Sequence, residues 1–166
     1  MKQNAKTFKG GCFCGAVTYE MTAKPMFVHC CHCTDCQCQT GSAFAINALI
    51  ETSHVTLKKG KPVRVTMPTD SGSPHDIYRC PKCATALWSD YGRRGWALFL
   101  RVSTLDKPHR IRPDVHIFMR SKVPWVRLPR GARAFKVYYE IKKEWPAASL
   151  RRRDAAAKAW KERGGR

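Results

Sequence analysis

Acidic residues are scarce in this chain. Against 31 Lys and Arg stand only 12 Asp and Glu, a formal charge of +19 over 166 residues. A surface that basic favours anionic partners, whether nucleic acid, acidic lipid or a small polycarboxylate. Long apolar runs are missing too. The longest uninterrupted one, Trp96 to Leu100 (WALFL), falls far short of the ~20 residues that span a bilayer, so no membrane segment is expected. The opening MKQNAKTFKGG holds no apolar stretch of signal-peptide length, which sets the expectation of a reducing, cytoplasmic location. There is no solenoid- or propeller-type repeat and no linker that would separate two folded domains. No homeodomain, finger or aromatic RNA-binding signature occurs, so any nucleic-acid contact is expected to be non-specific and steeply salt-dependent.

Cysteine, by contrast, is abundant. Nine occur in all, and five of them share the thirteen residues HCCHCTDCQCQTG, 29–41, with two histidines. A disulfide scaffold fits poorly. The total is odd, and cysteines one or two residues apart bridge each other with difficulty, whereas such short loops wrap readily around one metal ion.

The length suits one domain with a core that needs no staples. Hydrophobic residues at 43% and charged residues at 26% are ordinary globular values that exclude a wholly disordered chain. Apolar positions alternate at Val17, Tyr19 and Met21; Val55 and Leu57; Val63, Val65 and Met67; Val115, Ile117 and Met119. Period two marks half-buried strands. The breakers KKGKP (58–62) and PTDSGSP (68–74) are of the kind that join neighbouring antiparallel strands. The near-continuous apolar runs 43–50 and 96–102 are expected as more fully buried strands. The expected class is therefore mostly β. Helix is expected only at the end, in SLRRRDAAAKAWKERGGR, where Leu150, Ala157 and Trp160 make a thin apolar stripe. That stripe predicts weak docking and a tail dispensable for the fold, whose net charge of +5 matters for anion attraction.

Three cysteine clusters separate along the chain: Cys12 and Cys14 in GGCFCG, Cys30 to Cys36 in CCHCTDC, and Cys80 and Cys83 in RCPKC. The last has the form of a zinc knuckle, whose turn aims two sulfurs at one ion at about 2.3 Å. Two ligands do not close a tetrahedral site, and Cys12 with Cys14 is the natural second pair. Cys31, Cys33 and Cys36 form a separate group of three. Three protein ligands leave a fourth position for water or a substrate atom. Cys30, His29 and His32 are neighbours that could also ligate and close that site. Cys38 is expected as a spare thiol near the site or a small buried hydrophobe.

The succession GGCFCGAVTYE, CHCTDCQCQTGSAF, YRCPKCATALWS and DVHIFMRSKVPWVRL resembles the glutathione-dependent formaldehyde-activating enzyme (GFA) family, whose zinc domain is shared with a centromere protein. The resemblance runs from about Lys9 to Glu140, which leaves a short extension, 1–8, and a basic tail, 141–166. It implies a single zinc-stabilised β-tent domain of antiparallel sheets and two Zn2+ ions. A structural zinc would lie on Cys12, Cys14, Cys80 and Cys83, and a catalytic one on Cys31, Cys33 and Cys36. The implied activity is that of a carbon-sulfur lyase forming or cleaving S-hydroxymethylglutathione. Glutathione carries two carboxylates, for which Arg79, Arg120 and Lys122 are the first candidate clamps. Trp88 and Trp125 are expected in the core, and His32 either hydrogen-bonds a bound thiolate or braces its loop. Two other classes compete: a non-catalytic, zinc-stabilised module that binds nucleic acid through its basic surface and Arg151 to Arg153, and a thiol sensor using Cys30 and Cys38.

Overall fold

The computed structural model describes residues 7–69 and 71–165. Along the chain come strands β1 (Phe8–Gly11), β2 (Thr18–Met21) and β3 (Phe27–Cys31), helix α1 (Thr34–Thr40), and strands β4 (Ala45–Glu51), β5 (Val55–Lys59), β6 (Val63–Met67), β7 (His75–Arg79), β8 (Ala86–Tyr91), β9 (Ala97–Arg101) and β10 (Val115–Ile117). Two helices, α2 (Ile141–Glu144) and α3 (Ala147–Glu162), follow. The mostly β class expected from period-two patterning holds.

The strands make two sheets. One has three strands in the order β1-β2-β5, and the other seven in the order β10-β3-β4-β9-β8-β7-β6. All pairings are antiparallel except β10 with β3. PTDSGSP joins antiparallel neighbours β6 and β7 as expected. KKGKP does not: β5 pairs with β2 in the small sheet and β6 with β7 in the large one, so this breaker carries the chain from sheet to sheet. Gly60 within it has φ +69°, and a Cβ there would stand 2.2 Å from the Ala16 carbonyl oxygen. Gly60→Ala combines a left-handed backbone with a backbone clash. It is expected to cost about 2 kcal/mol or more, lowering the melting temperature by roughly 4–8 °C. A thermal scan showing wild-type stability would mean that the crossover is not held this tightly.

Alternation along the central strands divides the core in two. Val28, Ala48, Ile50, Leu98 and Leu100 pack with Phe8, Val17, Tyr19 and Met21 of the small sheet. Their neighbours Phe27, Leu49, Ala97, Val115 and Ile117 face the opposite way and pack with Tyr139 and Trp145, where the Phe27 and Trp145 rings stack at 5.1 Å. The β10 pattern ends before Met119 because Phe118 adopts φ 57°, ψ 43° and turns the chain into a 3-10 turn. Trp88 is buried in the first core, but Trp125 is 73% exposed. Its WVRLPRG segment runs outside any strand, so no sheet face is available to cover it.

Weak docking of the tail is not what the structure shows. Arg152 of α3 makes a bidentate ion pair with Glu51 at 2.8 and 2.7 Å, and the Glu51 side chain is only 7% exposed. Trp160 lies against bare backbone, since a Cβ on Gly95 would stand 2.2 Å from its ring. The thin stripe understated this contact because a salt bridge and a glycine platform contribute nothing to apolar periodicity.

Candidate metal centres

Cys12 and Cys14 lie in the loop between β1 and β2, and Cys80 and Cys83 in the turn between β7 and β8. The fold brings these loops together although 66 residues separate Cys14 from Cys80. The four sulfurs lie within 4.8 Å of one another, with Cys12 to Cys14 at 3.6 Å and Cys14 to Cys80 at 3.8 Å. Zinc-sulfur bonds of about 2.3 Å in a tetrahedron place the sulfurs about 3.8 Å apart, so the donor set fits that ion. Backbone N–H groups of Val17 and Lys82 point at Cys12 Sγ (3.2 Å) and Cys80 Sγ (3.4 Å), as outer donors to ligand thiolates do. The Thr85 hydroxyl, 3.1 Å from Cys83 Sγ, leads the contacts that hold that thiol down to about 5.

The second group is built locally. Cys31 ends β3, and Cys33 caps α1, its sulfur accepting from the Cys36 backbone N–H at 3.3 Å. Cys36 occupies the first turn, so capping and helical geometry together stack its sulfur against that of Cys33. The three sulfurs lie within 4.8 Å of one another, and no fourth His, Cys, Asp or Glu joins them among the described residues. Cys31 and Cys33 are 3.4 Å apart. Sulfurs this close cannot all be charged without a cation. Hydrogen bonds from Cys31 and then Cys33, with Arg101 adding its charge, hold Cys36 far below the ordinary thiol range. The opposite shift falls on Cys31, raised first by its contact with Cys33. An ion that removes all three protons relieves this conflict, so the set fits a thiophilic divalent metal such as zinc.

The three sulfurs open into a cavity of about 840 Å³, within the usual range for small-molecule sites. Strand register explains its wall. His29, Asn47 and Arg101 are successive partners across β3, β4 and β9, and Ser89 and Phe99 pair across β8 and β9 on the same side. His29 donates to or accepts from Tyr139 Oη at 2.5 Å, which in turn accepts from Trp145 Nε1 at 2.8 Å. Burial, then the charge of Arg94, holds His29 down to about 4, so its imidazole is neutral at pH 7.

Of the neighbours that could close the second group, none does. Cys30 points to the other face of β3, with His32 and with His116, its register partner on β10. His32 Nε2 lies 3.6 Å from Cys30 Sγ and 3.0 Å from His116 Nδ1. These three also meet the distance requirement for a metal. They fail another: ligation through His32 Nε2 would place its proton on Nδ1, which is buried with no partner, whereas ligating histidines donate that proton to an acceptor. They form a hydrogen-bonded brace, and the His32 carbonyl supports it by accepting from Gln37 and Ser121 at 2.8 and 2.9 Å. Cys38 is exposed on α1 rather than buried, and joins none of the donor groups among the described residues.

Of the three candidate clamps, Arg120 lines the cavity. Arg79 instead donates to the Ala84 carbonyl in the knuckle, and Lys122 Nζ donates to the carbonyls of Val123 and Val126. The cavity's other cations, Arg94 and Arg101, carry no sequence motif. Register places Arg101 there, as it does Asn47, while Arg94 and Tyr138 reach the cavity from segments outside any strand.

No helix among the described residues is long and apolar enough to cross a membrane. A Halomonas elongata protein, provisionally named a glutathione-dependent formaldehyde-activating enzyme, is 26% identical over 125 residues, 72% of this chain and 80% of its own. A solved Rhodobacter sphaeroides protein aligns with a TM-score of 0.45 at 18% identity, over 63% of this chain and 91% of the other. The family model for the glutathione-dependent formaldehyde-activating enzyme matches residues 7–121. That span contains both cysteine groups, the cavity strands and Arg120, and the chain belongs to this family.

Proposed function

We propose that the protein is a zinc-dependent carbon-sulfur lyase that forms or cleaves S-hydroxymethylglutathione. One observation carries this: a three-sulfur donor set, with no fourth donor among the described residues, opens into a cavity of about 840 Å³. Two zinc ions are assigned, a structural one to Cys12, Cys14, Cys80 and Cys83 and a second to Cys31, Cys33 and Cys36. A zinc on the second set would hold a substrate thiol as thiolate at neutral pH, where a free thiol is only a few per cent ionised. The chain's own residues do the rest. Arg94 and Arg120, exposed and lining the cavity, would take glutathione's carboxylates. Phe99 and Tyr138 give the cavity an apolar wall beside His29. In synthesis the thiolate sulfur attacks the aldehyde carbon, the carbonyl π pair moves to oxygen, and that oxygen takes a proton; cleavage reverses each step.

Glutathione is expected to bind the metal-loaded protein directly. In the cobalt form, replacing an oxygen ligand by a fourth sulfur intensifies the thiolate-to-metal charge-transfer band. Cys33→Ser is expected to abolish this response and Cys38→Ser to preserve it. Catalysis is the excess over the spontaneous condensation of thiol and formaldehyde at matched pH. A wild-type spectrum indifferent to glutathione would redirect the assignment towards a non-catalytic module, with salt-dependent nucleic-acid retention as the next measurement.

A further inference from the structure

Arg101 occupies an expensive position. It ends β9 on the cavity face, opposite Asn47, and is 4% exposed. Nη1 donates to Asn47 Oδ1, but Nε and Nη2 are buried without a hydrogen-bond partner of ordinary geometry. No carboxylate forms an ion pair with it among the described residues. Asp35, which also lines the cavity, is exposed at the first turn of α1. A guanidinium removed from water stays only where another charge compensates it. Cys31, Cys33 and Cys36 line the same cavity as Arg101, and their sulfurs are the groups there that can carry the compensating negative charge.

We propose that Arg101 is a positioning residue for the three-cysteine site, the built-in counter-charge that fits its fourth position to an anionic sulfur. The inference rests on a divalent ion being held by Cys31, Cys33 and Cys36. Three thiolates (−3) and that ion (+2) sum to −1, and Arg101 (+1) brings the buried assembly to zero. A fourth thiolate returns it to −1, where without the guanidinium it would reach −2. The four-cysteine site differs. It is already complete, and its Cys14 is exposed, so water can compensate its charge. None of Cys31, Cys33 and Cys36 is exposed, and the compensation of the cavity site is built into the sheet. Arg101 therefore sets which class of ligand enters the fourth position, acting by its charge on the sulfur set.

The test compares ligands of different charge on the cobalt-loaded full chain. Wild type, Arg101→Met and Arg101→Lys are titrated with glutathione, with azide as a small anion that needs no carboxylate clamps, and with neutral imidazole. Arg101→Met is expected to weaken azide and glutathione by about 10- to 100-fold, the size of one unit charge lost roughly 6–12 Å away at an effective dielectric near 20. Imidazole should change less than about 3-fold, because a neutral ligand adds no charge. Arg101→Lys keeps the charge and should keep an anion-to-imidazole ratio near that of wild type. A general loosening of the site would weaken all three ligands together, and that outcome overturns the proposal, as does an unchanged ratio in Arg101→Met. Should the methionine variant fail to fold or load metal, the lysine variant decides: a collapsed ratio with charge retained refutes the counter-charge role. Wild type that binds azide but not glutathione would refute the glutathione assignment alone, leaving the azide-to-imidazole comparison to judge Arg101.

Discussion

Cys80→Ser is expected to lose the folded state, and Cys33→Ser to remain folded with one metal site intact. The asymmetry follows from what each group ties together. Cys12 and Cys14 hang from the three-stranded sheet and Cys80 and Cys83 from the seven-stranded one, so an ion there closes a long loop and pins one sheet to the other. Structural zinc sites contribute on the order of 10 kcal/mol, comparable to the whole stability of a domain of about 5–15 kcal/mol. Cys31, Cys33 and Cys36 lie within six residues of chain, already ordered by β3 and the cap of α1, and closing so short a segment adds little. Circular dichroism and metal content of the two variants measure this directly. Equal unfolding of both would remove the division into structural and open sites.

Truncation after Ala148 is expected to lower stability markedly. It removes Arg152 and strands Glu51, whose carboxylate is almost fully buried at the end of β4. It also uncovers Gly95, on which Trp160 rests. Removing one partner of a buried pair costs about 3–5 kcal/mol, and because Arg152 itself is one-third exposed the lower end, about 3 kcal/mol, is the better expectation. For a chain of this size that is a fall of roughly 6–12 °C in melting temperature. Arg152→Ala alone should reproduce much of the loss, and Arg152→Ala combined with Glu51→Gln should recover part of it, since a neutral amide no longer needs a counter-charge. If the double variant is no more stable than Arg152→Ala, the ion pair is incidental and Trp160 carries the contact. A truncated protein as stable as the full chain would vindicate the dispensable tail that the thin apolar stripe suggested.

What the sequence by itself determined is whatever depends on short spacing. Alternation announced the strands, because side chains on a strand change face at every residue. Two-residue gaps announced the knuckle, and the run from Cys31 to Cys36 announced three sulfurs within reach of one another, because no distant partner is needed to bring them together. The family resemblance rested on these same local motifs. Long-range placement was decided only by the tertiary structure. Whether Cys30 joined Cys31 depended on β3 being a strand at that point, which sends adjacent side chains to opposite faces. That KKGKP passes between sheets, and does not close a hairpin, depended on which edge β5 and β6 each found. Arg101, Asn47 and His29 belong to three strands, and only His29 falls within a motif. They meet because antiparallel register aligns positions far apart in sequence, and register is set by how whole faces are buried, not by any one residue's neighbours. For the same reason the tail's ion pair was invisible beforehand: Glu51 and Arg152 lie 101 residues apart, and nothing local to either one names the other.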